Sequence, residues 1–142
     1  MKSFVRRFPF FLVLTILVHG CSSTIAMYDQ YAYSQVTSLK VDALELMEKA
    51  DQDYEANRRE IGAVDVMLQK AMEYERHRPK NEIVNAMWAK LYDPGSNLYG
   101  GFMERWKQKG KLEGSFIENQ KKIIGLSFDQ IAELQSKLNR RK

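Results

Sequence analysis

From Tyr28 to His77 the chain holds no proline and a single glycine, Gly62, and its apolar residues recur at alternating intervals of three and four. Tyr33, Val36, Ala43, Met47, Ala50, Tyr54, Ile61, Val64, Leu68 and Ala71 fall on this repeat, with Lys40 and Asn57 filling the two gaps. An α-helix brings residues three and four apart onto one face, so the pattern is a heptad-like helical seam. Leu39, Leu46 and Met72 widen it on one side, which suits a bundle better than a two-stranded rod. The spacing predicts one long, bent first helix of about 45 residues, roughly 68 Å at 1.5 Å per residue. A break around Ala56 to Gly62 is the alternative, because Asn57 on the seam and Gly62 both weaken the middle.

Pro79 should stop this helix, since the residue before a proline resists the helical region. Asn81 reads as the N-cap of a short helix with Ile83, Val84, Met87, Trp88 and Leu91 on its apolar side. Asp93-Pro94-Gly95-Ser96-Asn97 is a turn signal. Gly100-Gly101 follows, in a segment that lacks the strand and the Lys-Ser/Thr of a phosphate loop. It reads as a turn that lets Phe102 and Trp106 pack closely. Ser115-Phe116-Ile117-Glu118 has the form of a capping box. It opens a last helix with Ile117, Ile124, Phe128, Ile131, Leu134 and Leu138 on one face, kinked or divided near Gly125 to Gln130. No period-two run rich in β-branched residues occurs, so no sheet is expected. The expected fold is all-α, an elongated antiparallel helical bundle of three to five helices with a long first helix. Residues 28-142 form its single helical domain.

The amino terminus carries a different kind of information. Lys2, Arg6 and Arg7 precede Phe8 to Val18, an apolar run of 11 residues interrupted only by Pro9 and Thr15. A permanent membrane span needs about 20 residues. Leu17-Val18-His19-Gly20-Cys21-Ser22 comes next and contains the only cysteine. Basic head, apolar run and cysteine together resemble the lipobox signal peptide of bacterial lipoproteins, although His19 is bulkier than is usual at its position. The resemblance covers about the first 22 residues. It implies that residues 1-20 are a cleaved signal peptide and that Cys21 takes a diacylglyceryl thioether and an acylated amino group. Residues 21-27 would then be a lipidated tether, polar at Ser22-Ser23-Thr24. A residue other than aspartate after the cysteine goes, in enterobacterial lipoproteins, with release to the outer membrane. Ser22 therefore implies a cell-envelope protein on the outer membrane, facing the periplasm.

Cys21-Ser22-Ser23 and Arg141-Lys142 also resemble the two ends of the murein lipoproteins, whose last lysine is joined to peptidoglycan. That resemblance is confined to the ends. It implies, as an alternative role, a wall contact through Arg140, Arg141 and Lys142.

The 22 basic and 18 acidic residues give a charge of +4, but without the leader's Lys2, Arg6 and Arg7 the balance is 19 to 18. A bulk nucleic-acid binder would not be so even. The charge is unevenly spread: residues 21–104 hold 9 basic and 14 acidic residues, and residues 105–142 hold 10 and 4. The two parts are expected to face each other inside the bundle. One cysteine excludes an intramolecular disulfide and a cysteine metal cluster.

No catalytic constellation can be assembled. His77, the one histidine after the leader, sits among Arg76, Arg78 and Pro79 at a helix end, where a cation suits the helix dipole. Asp51 with Asp53, and Glu73 with Glu75, are two apart and diverge on a helix. Glu45 with Lys49, and Glu55 with Arg59, have the spacing of exposed pairs. No metal site and no cofactor are expected.

Trp88, Tyr92, Tyr99, Phe102 and Trp106 form the densest aromatic group. Helical spacing makes them core, and the functional reading of the same group is an interaction surface or a small ligand or enzyme site. Tyr28, Tyr31 and Tyr33 follow the tether and suit a membrane interface as well as ordinary packing. The expected role is that of a membrane-anchored, non-catalytic accessory or scaffold lipoprotein that binds an envelope protein partner.

Overall fold

The structure, a computed structural model, describes Ala26 and residues 28–137. Five α-helices make up most of it: α1 Gln30–Glu48, α2 Arg58–Arg76, α3 Glu82–Tyr92, α4 Tyr99–Lys109 and α5 Gly114–Lys137. No strand occurs among the described residues. The chain is thus all-helical, as its periodicity predicts. The leader, Cys21, Ser22-Ser23-Thr24 and Arg140 to Lys142 lie outside the described residues.

The long first helix is not found. α1 ends at Glu48 and α2 begins at Arg58, with two short 3-10 turns, Lys49–Asp51 and Glu55–Asn57, between them. The break starts earlier than the expected Ala56 to Gly62 and overlaps it at Ala56 and Asn57, whereas Gly62 lies inside α2. Local competition contributes: the Asp53 side chain accepts the Glu55 N–H (2.9 Å), and the Asn57 side chain donates to Asp53 O (2.9 Å). Distant partners complete the turn. Leu112 N donates to Ala50 O (2.8 Å), Tyr54 N to Gly110 O (2.9 Å) and Trp106 Nε1 to Gln52 O (3.0 Å). The backbone groups that a continuous helix would pair internally are paired instead with the α4–α5 connection. The apolar repeat survives the break because Ala50 is fully buried and Tyr54 packs edge-on against Trp106, ring centres 5.4 Å apart.

α1 and α5 make the most extensive contact, followed by α1 with α2. Lys40 meets Asp129 (2.6 Å) and Glu48 meets Lys121 (2.5 Å), so α1 and α5 pass each other in opposite directions. One of these pairs joins the acidic part of the chain to the basic part, and the other has the reverse sense. Both are partly exposed, and such pairs contribute about 0–1 kcal/mol each. They mark the register more than they hold it. Near the break, Lys49 pairs with Glu60 (2.6 Å) and Glu55 with Arg58 (3.2 Å), not with the partners expected from i, i+4 spacing.

The core fills the space between these helices with Ala43, Leu46, Met47, Leu68, Trp88, Phe102, Trp106, Ile124, Phe128 and Ile131. α5 runs unbroken through Gly125 and Gln130, where a kink or division was expected. It opens at Gly114, so Ser115 lies inside the first turn and not at the N-cap of a capping box. The Asp93 turn forms as expected: Asp93 Oδ1 accepts from Gly95 N (2.9 Å), and Asp93 O accepts from Ser96 N (3.0 Å). Gly100 and Gly101 then start α4 directly against that turn. A Cβ on Gly100 would collide with the Tyr92 carbonyl, and one on Gly101 with the Ser96 carbonyl. α4 closes at Gly110, whose φ of 74° belongs to the left-handed region.

Candidate functional site

The aromatic group is core, not surface. Trp88, Tyr99, Phe102 and Trp106 are all buried, Trp106 completely, and only Tyr92 is half-exposed. Of the five, Tyr92 is the one whose side chain is not buried. They pack by geometry typical of aromatic cores: Trp88 stands edge-on to Phe128 at 5.9 Å, and Phe102 stacks on Phe116 at 6.0 Å. Arg105 lies over the outer face of the Phe116 ring, 4.4 Å from its centre. The Trp106 indole N–H is shared between Gln52 O and Gly110 O.

Beside this core, α2 and α4 leave a cleft of about 410 Å³, bounded by Tyr54, Ile61, Asp65, Tyr92, Tyr99 and Met103. Arg58, Glu104 and Lys107 also line it. Asp65 takes a hydrogen bond from the Tyr92 hydroxyl and another from Gln69 Nε2 (2.8 Å). Burial pushes the Tyr92 hydroxyl above its ordinary pKa, and the bond to Asp65 pushes it in the same direction. Tyr99 is buried, and desolvation raises its pKa strongly, with Asp65, Tyr92 and Tyr54 acting on it in the same sense. The cleft can hold an apolar group beside a polar one. Sequence reading found Tyr92 and Tyr99 but missed Tyr54, in the α1–α2 connection, and Asp65, on α2, which meet them only in three dimensions.

The opposite end of the bundle holds a second constellation. Glu75, Asn81 and Gln135 are buried polar residues, 2%, 2% and 1% exposed. Gln135 Nε2 donates to Glu75 Oε1 (2.7 Å), and Arg78 Nη1 donates to Glu75 Oε2 (2.8 Å) and Gln135 Oε1 (2.7 Å). Asn81 Nδ2 donates to Glu75 Oε2 (2.5 Å) and to Glu75 O (2.9 Å). Asn81 stands at the N-cap position of α3, but its side chain makes no cap bond. It is spent on Glu75 instead.

Asp29 joins this network from the start of α1. It caps α1 by accepting the N–H groups of Tyr31 (2.9 Å) and Ala32 (3.1 Å). It also accepts the Tyr74 hydroxyl (2.5 Å) and lies 3.6 Å from Arg78 Nε. Burial raises its pKa, but the bonds from Tyr74, Ala32 and Tyr31 and the charge of Arg78 outweigh that and hold it below the ordinary value. This clamp fastens the first turn of α1, the last turns of α2 and α5, and the start of α3.

His77 is exposed and its Nε2 lies 2.9 Å from Glu73 Oε1 at the end of α2, as expected for a helix-end residue. Among the described residues, no three His, Cys, Asp or Glu side chains stand close enough to hold a metal ion. No described helix is long and apolar enough to cross a membrane. Compared with known protein families, curated proteins and solved structures, the chain shows no match.

Proposed function

We propose that the chain is a lipid-anchored protein of the bacterial envelope, an antiparallel helical bundle that serves as a non-catalytic scaffold for a protein partner. The observation that carries this reading is the spacing between the cysteine and the fold. Cys21, at the end of a basic head and an apolar run, precedes the α1 cap Asp29 by only eight residues. A cleaved leader would leave a lipidated cysteine on a short polar tether directly ahead of a capped helix. The bundle would then stand on the membrane with its cleft turned away from it. Tyr54 and Arg58 line that cleft at the end where α1 gives way to α2, about 28 Å of helix from Asp29. On the resemblance at Ser22, the membrane is the outer one and the bundle faces the periplasm.

Membrane fractionation tests the anchor. The native protein should stay in the membrane fraction through alkaline carbonate and leave it only with detergent, whereas release by carbonate contradicts the reading. A photo-crosslinking residue in place of Met103 tests the partner. It should yield one discrete protein adduct in intact cells, and no adduct at several cleft positions would count against partner binding there.

A further inference from the structure

α5 carries two seams. The inner one, Ile117, Ile124, Phe128 and Ile131, is buried in the core. The outer one, Asn119, Ile123, Leu126 and Gln130, recurs at intervals of four, three and four on the opposite side of the helix. The solvent side of a bundle helix is ordinarily charged or polar throughout. Here Ile123 is 47% exposed and Leu126 63%, the highest value for any large apolar side chain among the described residues. Apolar residues scattered singly over a surface are ordinary. These two are neighbours at i, i+3, and they adjoin a groove of about 800 Å³ between α3 and α5. Met87, Leu98, Ile123 and Ile131 supply its apolar lining. Ile83, also exposed, stands one turn before Met87 and extends the apolar side of α3.

We propose that this α3–α5 face binds a second copy of the chain, α5 against α5 about a two-fold axis. Charge favours a copy over a different partner. Among the described residues that line the groove, Lys90 is the one that carries a charge, and the outer seam from Asn119 to Gln130 carries none. A two-fold axis sets each residue beside it against its own counterpart, so charged residues there repel themselves and an uncharged stripe does not. α5 turns its charges elsewhere: Lys121 meets Glu48 and Asp129 meets Lys40, both on α1. Shape favours a copy as well. The ridge of Ile123 and Leu126 lies to one side of the groove on the same face. A two-fold rotation lays the ridge of one copy over the groove of the other, so the face is complementary to itself. Asn119 and Gln130, at the two ends of the ridge, then fix the register as polar residues do on a coiled-coil seam. This face is separate from the cleft between α2 and α4, with which it shares no lining residue.

The test uses the full native protein in mild detergent. Sedimentation and native mass spectrometry should show a dimer. Leu126→Lys sets two like charges beside the axis and should raise the dissociation constant about a hundredfold. Leu126 is exposed, so this variant should keep the wild-type circular dichroism. Leu126→Cys reads the contact itself: oxidation in membranes should link two copies through the new thiols. Val66→Cys, also exposed but on α2, should not link, and the wild type with Cys21 alone is the blank. A wild type that stays monomeric across the micromolar range overturns the proposal, and so does a dimer that is equally tight in Leu126→Lys. Equal linking at positions 126 and 66 overturns it too, since that marks random collision, as does capture of a different protein by Leu126→Cys. The crosslink at Met103 reports on the cleft alone, so the two readings fail separately.

Discussion

The two ends of this bundle are held by opposite means. At the end where α4 meets α5, Trp106, Tyr54, Phe102 and Phe116 pack aromatic faces and edges, and polar atoms enter mainly as backbone groups of a turn. At the other end, four helices meet through Glu75, Arg78, Gln135, Asn81 and Asp29. An apolar contact loses stability in proportion to what is removed. A buried charged network loses more when one member goes than when the whole set is replaced, because the remaining charge is left unpaired. The aromatic end should therefore respond to side-chain size, and the clamp to completeness and pH.

The largest effect is expected at Trp106. Trp106→Ala should cost about 4 kcal/mol in denaturant unfolding, since it empties a fully buried site and leaves Gln52 O and Gly110 O without the indole. A loss under 1 kcal/mol would mean that this end is not the aromatic core described. Next, Glu75→Ala should cost about 3 kcal/mol by leaving Arg78 without its buried carboxylate. The triple replacement Glu75→Leu, Arg78→Met and Gln135→Leu should recover part of that loss, since Asn81 still donates to Glu75 O. If the triple variant is as unstable as the single one, the clamp is not the self-contained network proposed for this end.

Gly101→Ala sharpens the contrast from the aromatic side, and about 2 kcal/mol is expected because the Ser96 carbonyl is backbone and cannot swing aside. Asp29→Ala should cost about 1 kcal/mol through loss of the α1 cap. The Asp29 carboxyl is held below its ordinary value when folded. Its contribution is therefore complete above about pH 4, the usual unfolded carboxylate range, and fades as pH falls through the lowered folded value. Wild type and Asp29→Ala should accordingly converge in stability as pH falls through that lowered value, while the deficit of Trp106→Ala should stay constant over the same range. Parallel pH profiles for the two variants would remove the distinction between the ends.

Much of this is visible in the order of residues, and the exceptions have physical causes. The three-four repeat shows that the elements are helices, and Pro79 and the Asp93 turn mark two of the connections. The division of the first helix is not visible, because the groups that stabilise it, Leu112 N, Gly110 O and the Trp106 indole, lie 54 to 62 residues away from their partners. Asn81 follows cap chemistry locally, yet Glu75 competes for its side chain and wins. The clamp does leave a trace in the sequence. Glu75 continues the α2 seam of Val64, Leu68 and Ala71, and Gln135 continues the α5 seam of Ile124, Phe128 and Ile131. Two polar residues on apolar seams near helix ends mark a place where helices meet through hydrogen bonds. The cleft left no such trace, since Asp65 and Tyr54 read as ordinary helix-surface and seam residues.

The placement of the whole molecule depends on chemistry at one sulfur atom. Intact-mass and peptide mass spectrometry of the native protein, purified from membranes, measures it directly. The account predicts a chain that begins at Cys21 and carries a diacylglyceryl group on Sγ and an acyl chain on its amino group. A chain that still begins at Met1 with a free Cys21 thiol would contradict it.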